Sequence, residues 1–253
     1  MKSIILAAGE GTRLRPFTLE RPKCMVEVDG VSLLDHQLDV LEKSGIKENI
    51  IIGGYLSEKL SNRGSKLYLN PEYDKTNMVW TLFCAEEELK GDVIVTYGDI
   101  VYSKDILDKL IESEAEISVV VDMEWEAYWR ARLEDPLEDA ETLKLSKNGN
   151  ILEIGQKPNS LDEIEGQYIG LMKFSGAGLE KMKTLFYEAK KSGKLGDRPV
   201  ENAYMTDLLQ AIIDDGFPIQ AVPVNSPWVE VDTVDDLKNE VTKERLSQIS
   251  KGI

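Results

Sequence analysis

Leu6-Ala7-Ala8-Gly9-Glu10-Gly11-Thr12-Arg13-Leu14-Arg15-Pro16, followed by Arg21-Pro22-Lys23, is the stretch on which the reading of this chain turns. It starts inside a short apolar run, Ile4-Ile5-Leu6, which reads as a buried strand. The glycines let backbone amides turn inward and approach an anion closely, because no side chain stands in the way. Arginine then offers a planar fork of donors and lysine a point charge. A strand that ends in a glycine-rich, basic loop predicts a site for a nucleoside triphosphate.

Working outward, residues 31–44 read as a helix, with Leu33, Leu34, Leu38 and Leu41 near helical spacing and Gly45 as the stop. Residues 49–53 and 66–69 read as strands, and 70–76 as a polar loop. A helix is expected over 77–89, a strand over 92–97, a helix over 104–113 and a strand over 117–121. Strands that alternate with helices imply a mostly parallel sheet with helices on both faces. Ligands then bind at the carboxyl ends of the strands. Gly98-Asp99 and the Gly9 loop both lie at such ends.

The character changes at Asp122. Residues 122–141 are rich in acids and aromatics. Residues 142–146 and 151–154 flank Asn148-Gly149, a hairpin turn signal. A strand is expected over 166–175, helices over 178–192 and 204–214, strands over 219–224 and 228–231, and a closing helix over 234–249. With no repeat or low-complexity linker, residues 1–253 read as one domain. Its nucleotide-binding half spans about 1–121, its acceptor-binding half about 122–233, and its C-terminal helix 234–253.

The chain has 253 residues, 42% hydrophobic and 30% charged, an ordinary soluble composition. Its apolar runs are too short to span a bilayer. The N-terminal run leads straight into Gly-Glu-Gly without a cleavage pattern, so it reads as a strand rather than a leader, and a cytoplasmic address is expected. Cys24 and Cys84 form no metal-binding pattern and read as reduced thiols. The single histidine, His36, falls in a helical pattern. Multi-histidine zinc sites and serine-histidine triads are excluded.

A net charge of −16 argues against nucleic acid as a partner. Residues 1–23 hold five bases and two acids, a net of +3, so the rest carries −19. A local basic site in an acidic protein suits a small polyanion. Asp99 and Asp232 each end a strand of apolar character. Each reads as a Mg²⁺ ligand beside a triphosphate or, alternatively, as a turn or helix cap, with Thr233 and Asp235 competing at the second.

These motifs resemble the nucleotidylyltransferase superfamily, which makes nucleoside-diphosphate sugars and related activated headgroups. The matching residues are Leu-Ala-Ala-Gly-x-Gly-Thr-Arg-Leu-x-Pro with Pro-Lys downstream, Gly98-Asp99, Gln156-Lys157-Pro158 and Glu230-Val231-Asp232-Thr233. The resemblance implies a Rossmann-like α/β fold, a mixed and mostly parallel sheet with a smaller acceptor-binding lobe, and nucleotidyl transfer with release of pyrophosphate. It gives Leu6, Ala8, Gly9, Glu10, Gly11, Thr12, Asn77 and Gly98 to the nucleotide. Arg13 and Lys23 become the catalytic charges, and Asp99 and Asp232 the Mg²⁺ ligands. Lys157 would meet the acceptor phosphate, or be a solvated turn lysine.

In sugar-activating members the sugar-contacting strand usually carries an Asn-Ala-Gly run. Here it reads Gln167-Tyr168-Ile169-Gly170. The segments 73–78 and 136–142 look more like the small cytidylyltransferases that activate non-sugar phosphates: phosphocholine, aminoethylphosphonate or phosphoglutamine. That resemblance implies CTP and a small phosphorylated acceptor as partners. The rivals are a sugar-1-phosphate enzyme using UTP or dTTP, and a non-catalytic nucleotide-binding subunit. Monomer and homo-oligomer stay open.

On the acceptor side, Trp125 and Trp129 lie four apart beside Tyr128. They read as an ammonium cage or as a packed helical face. Arg130 and Arg132 could grip a phosphate or carboxylate, or pair with nearby acids. Together with Trp129, Glu141, Tyr168 and Glu230, Arg130 is expected to line the acceptor site, and the mix of arginine and acid favours a zwitterion. An acceptor phosphate is already anionic near neutral pH, its second pKa being about 6. Direct in-line attack on the α-phosphorus then needs no general base.

Overall fold

The computed structural model describes residues 1–225 and 227–251. Its main sheet has seven strands: β1 (Lys2–Ala7), β2 (Asn49–Gly53), β3 (Lys66–Leu69), β4 (Val93–Tyr97), β5 (Ile117–Asp122), β6 (Gln167–Phe174) and β7 (Gln220–Val224). Their order across the sheet is β7-β5-β6-β4-β1-β2-β3. β6 is antiparallel to both its neighbours, and the remaining pairs are parallel. Both faces are covered, which is why the central strands read as near-continuous apolar runs.

Alternation along the strands sorts the core into two layers. Ile5, Ala7 and Ile51 face one layer; Ile4, Leu6, Ile50 and Ile52 face the other. The first layer packs on the helices Leu33–Lys43, Lys104–Glu112 and Trp125–Arg132. The second packs on Met78–Phe83, Gly176–Ser192 and Met205–Asp214. β6 belongs to the second half of the sequence yet lies between β4 and β5 of the first. The two halves therefore interleave in one sheet.

Most expected elements are present, with three differences. The helix expected over 77–89 stops at Phe83, and Glu86–Glu88 forms a separate 3₁₀ turn. Glu88 is drawn into a buried pair with Lys2, Nζ to Oε2 2.6 Å, which a continued helix would not reach. The closing helix splits into Val234–Lys238 and Glu240–Lys251. At the break, Asn239 has extended backbone and its amide donates to the Ala131 carbonyl, 2.6 Å. Asparagine competes with helical hydrogen bonding in this way. Third, a three-residue strand at Ile100–Tyr102, too short to show periodicity, pairs antiparallel with Trp228–Glu230. Among the described residues, no helix is long and apolar enough to cross a membrane.

Candidate active site

β1 and β4 are adjacent and parallel, with Leu6 opposite Tyr97, so their carboxyl-end loops emerge side by side. Gly98 donates its N–H to the Leu6 carbonyl, 2.9 Å. A Cβ on Gly98 would stand 2.8 Å from that oxygen, so only glycine allows the approach. Gly11 has φ 65, in the left-handed region, and caps the 3₁₀ turn Thr12–Leu14. A Cβ there would press on Lys23 Cβ at 3.0 Å. The loop is thus shaped to bring Arg13 and Lys23 to one place.

That place is a cleft of about 380 Å³. Leu6, Ala8, Gly9, Gly11, Thr12, Asn77 and Gly98 line it, together with Arg13, Lys23, Asp99 and Asp232. Of the residues expected at the nucleotide, Glu10 stands apart. Its side chain lies outside the cleft lining and pairs with Arg15, which bears on the side chain and not on the backbone role expected of it.

Lys23 sits between the two aspartates, with Nζ 2.5 Å from Asp99 Oδ2 and also bonded to Asp232. Arg13 Nη2 reaches Asp232 Oδ2 at 3.0 Å. Burial opposes the Lys23 charge, but Asp99 and Asp232 outweigh it and hold the ammonium protonated above its ordinary range. Burial likewise works against ionised Asp232, yet Lys23, Arg13 and Arg132 pull its pKa below the ordinary carboxylate value. The capping role falls to Thr233, with Asp236 reaching back, which leaves Asp232 free for chemistry. The short strand pair completes the assembly: Val231 N–H donates to the Asp99 carbonyl, 3.0 Å, and draws the two aspartates together.

Glu230 joins them. Oxygens of Asp99, Glu230 and Asp232 all lie within 4.8 Å of one another. Asp99 Oδ1 is buried without a hydrogen-bond partner. Three converging carboxylates with an orphaned oxygen are a hard-donor set, which fits Mg²⁺ or Mn²⁺. Glu230, expected on the acceptor side, thus belongs to the cluster as well. Positions 230 and 232, two apart beside a strand end, share a face, and that spacing was the available signal. Burial first, then the Asp232 charge, push the Glu230 pKa up, while Arg132 opposes the shift. Arg132 is almost fully buried and meets both Glu230, 2.9 Å, and Asp236, 2.9 Å.

A second cavity of about 220 Å³ adjoins the cleft and shares Met78, Tyr97 and Glu230 with it. Trp129, Glu141, Tyr168 and Glu230, four of the residues expected at the acceptor, line it. Asp139, from the acidic segment, and Gln167, from the strand expected to face the second substrate, also line it, and Tyr97, Tyr204, Thr206 and Trp228 were not anticipated there. The Gln167 side chain grips the Glu141 backbone, accepting from its N–H at 3.1 Å and donating to its carbonyl at 2.5 Å. Burial, then Asp207 and Asp139, push the Glu141 carboxyl up to about 7, with Arg198 acting against them.

Arg130 and Lys157, by contrast, line neither cavity. Arg130 is exposed on its helix and pairs with Glu126 one turn back, Nη2 to Oε1 2.7 Å, and nothing in its surroundings supports the acceptor role expected of it. Lys157 is exposed in the loop after the hairpin strand Ile151–Ile154. Trp125 and Trp129 are each 4% exposed and pack edge to face, centroids 5.9 Å apart. Trp125 is core. Trp129 also shows an edge to the second cavity and donates Nε1–H to Asp139, 3.1 Å.

Comparison with known proteins follows the same lines. Residues 3–156 match the family described as the MobA-like NTP transferase domain. CTP:phosphoglutamine cytidylyltransferase of Campylobacter jejuni is 44% identical over 255 residues, covering 96% of this chain and 100% of that protein. Choline-phosphate cytidylyltransferase of Streptococcus pneumoniae is 36% identical over 117 residues, 45% of this chain and 51% of that one. Among solved structures, CTP:phosphocholine cytidylyltransferase from Streptococcus pneumoniae superposes with a TM-score of 0.73 at 24% identity, over 97% of this chain and 98% of that one. The inositol-1-phosphate CTP transferase from T. maritima does so with 0.76 at 23%, over 100% and 97%. At these identities the structural matches speak for the fold. A family match over more than half the chain, joined to a relative matched along its whole length, places this protein in the MobA-like NTP transferase family of nucleotidyltransferases.

Proposed function

We propose that this protein is a cytidylyltransferase that moves CMP from CTP to a small phosphorylated non-sugar acceptor of the phosphoglutamine type, releasing pyrophosphate. The observation that carries the reading is the cluster of Asp99, Glu230 and Asp232 in the cleft that also holds Arg13 and Lys23, with Glu230 shared with the adjoining cavity and so marking the seam between the two. The glycine-walled cleft carries Arg13 and Lys23, which suits a triphosphate. The adjoining cavity has acids and aromatic rings and suits a headgroup. Full-length identity of 44% to the phosphoglutamine enzyme supports CTP and this acceptor class.

In this reading the acceptor phosphate oxygen attacks the α-phosphorus while the bond to the β-phosphate oxygen breaks and pyrophosphate departs. The acceptor phosphate is itself the nucleophile, so no side-chain base is required. His36, the chain's one histidine, lies on the helix Leu33–Lys43 and lines neither cavity. Arg13 and Lys23 lower the repulsion between two anions and neutralise the leaving group. The walls align the reactants. A divalent cation held by Asp99, Asp232 and Glu230 would supply further neutralisation of the triphosphate. Both substrates are small soluble anions, in keeping with a cytoplasmic enzyme.

The test is pyrophosphate release over four nucleoside triphosphates crossed with phosphoglutamine, phosphocholine, aminoethylphosphonate and glucose 1-phosphate, with and without Mg²⁺. CTP with phosphoglutamine is expected to give the highest kcat/KM. Preferred turnover of glucose 1-phosphate with UTP or dTTP would sink the reading, as would no release with any pair.

A further inference from the structure

The second cavity is acidic, and one basic group, itself outside the lining, packs on a residue of its wall. The Arg198 guanidinium lies over the ring of Tyr204, a wall residue, with Cζ 4.6 Å from the ring centroid. Arg198 begins the second strand of a short hairpin, Lys194–Leu195 paired with Arg198–Pro199. Asp207 is its acidic partner among the described residues, reached through Nε at 3.2 Å. Asp207 is itself fixed by accepting the Tyr204 N–H, 2.8 Å. A guanidinium has five N–H donors in a rigid fork. One engaged through Nε leaves the rest for a second carboxylate.

Glu141 answers it from within. Its carboxylate has no hydrogen bond or ion pair to another described residue, although its backbone is clamped by Gln167. Arg198 is the cation whose charge bears on Glu141, offsetting a small part of what burial, Asp207 and Asp139 do to it. The chain after Arg198 is tied to the nucleotide wall as well. Glu201 O accepts from Asn77 N–H, 2.8 Å, and Asn202 Nδ2 donates to the Lys75 carbonyl, 2.8 Å.

We propose that Arg198 and Glu141 form a two-ended clamp for an α-amino acid head. The acceptor's carboxylate meets Arg198 and its ammonium meets Glu141, which sends the side-chain phosphate toward Glu230 and Asp232. A purely cationic head such as choline would gain nothing from Arg198. A polyol would leave the Glu141 charge unpaired. Only a zwitterion satisfies both ends. The proposal rests on the cytidylyl-transfer reading for its placement of the acceptor, and it assigns a specificity residue, Arg198, that the sequence patterns did not single out.

The test measures binding apart from turnover. Calorimetric titration compares phosphoglutamine with its decarboxylated analogue, phosphorylated 4-aminobutanamide, on the wild type and on Arg198→Met, Arg198→Lys and Glu141→Gln. Circular dichroism confirms folding. Arg198→Met is expected to weaken phosphoglutamine about ten- to hundredfold, the range for charge-assisted hydrogen bonds, and to leave the analogue unchanged. Arg198→Lys should fall between, since it keeps the charge and loses the fork. Glu141→Gln should weaken both ligands. Equal loss of both ligands in Arg198→Met, or loss of neither, would overturn the clamp. So would a wild type that binds the analogue as tightly as phosphoglutamine. Tight, Arg198-dependent binding without pyrophosphate release from CTP would uphold the clamp and refute the cytidylyl-transfer reading.

Discussion

The cleft and the cavity beside it are built by different rules. The largest single part of the cleft comes from one contiguous run, residues 6–24, laid over a strand end and joined by residues 73–81, by Tyr97, Gly98 and Asp99 at the next strand end, and by Glu230 and Asp232. Its shape is a backbone shape: a left-handed Gly11 and a Gly98 pressed on the Leu6 carbonyl. The second cavity is a side-chain shape. Its walls come from segments as far apart as Met78, Trp129, Glu141, Tyr168 and Tyr204. A backbone site follows from local glycine placement and can be written as a motif. A side-chain site exists only where the fold brings its pieces together, and it can change its ligand by exchanging any one of them.

That contrast can be broken or sharpened by experiment, beginning with the seam. Asp99→Asn is expected to lower kcat by about 10³-fold, because an amide neither neutralises nor holds a divalent cation as a carboxylate does. Pyrophosphate release at saturating CTP and limiting Mg²⁺ measures it. The Mg²⁺-dependent rise in melting temperature with CTP should vanish as well. Retained activity would remove the metal cluster from the account.

Next comes the support behind the seam. Arg132 is 5% exposed and holds Glu230 and Asp236. Arg132→Met should cost about 3 kcal/mol of stability in urea unfolding, because it strands two carboxylates that burial has removed from water. The loss should exceed that of any substitution in the glycine loop's solvent-facing residues, such as Glu10→Ala.

A smaller effect separates the cavities by pH. Glu141 titrates at about 7, raised by burial and then by Asp207 and Asp139. Its folded pKa lies above the ordinary 4.5, so its contribution to stability is complete below that value and is lost as pH rises through about 7. Acceptor binding should move the opposite way. KM for an ammonium-bearing acceptor is expected to fall severalfold between pH 6 and about 8 as Glu141 ionises, while KM for CTP stays flat. In Glu141→Gln both the stability slope from this group and the KM slope should disappear. An unchanged KM profile in that variant would show that another group reads the ammonium.

The smallest effect belongs to Arg130. Its pair with Glu126 is exposed on a helix surface. Arg130→Ala should alter stability by no more than about 0.5 kcal/mol and leave both KM values unchanged. A rise in acceptor KM would return Arg130 to the site.

Much of this was legible from residues alone. The alternation of strands and helices, the strand-end position of Asp99 and the loop from Leu6 to Lys23 all express local periodicity or local backbone need. Trp125 shows where legibility stopped. A tryptophan four residues from another reads as cage or, more readily, as packed face, and only its burial against Trp129, itself packed on Tyr128 and Trp228, decides it. The two arginines of the same helix, Arg130 and Arg132, are two residues apart. One faces water and the other is buried against Glu230, a difference of helical phase relative to a core that local sequence does not display. Arg198 carried no signal at all, since its hairpin strands are two residues each and its partner Tyr204 is reached by a turn.

The sequence by itself determined a site suited to a polyanion: a strand, a glycine-rich turn and five bases within 23 residues leave few uses other than holding a polyphosphate. The tertiary structure decided the partnership. It drew Asp232 to Asp99 through a three-residue strand, placed Glu230 in the cluster, paired the Glu10 and Arg130 side chains with Arg15 and Glu126, and set Arg198 over the Tyr204 ring. The reason is the range of the forces involved. Backbone conformation is fixed by neighbours in sequence. Convergence of charges is fixed by core packing and strand pairing across a hundred residues or more, where the burial of a whole layer decides which side chains meet.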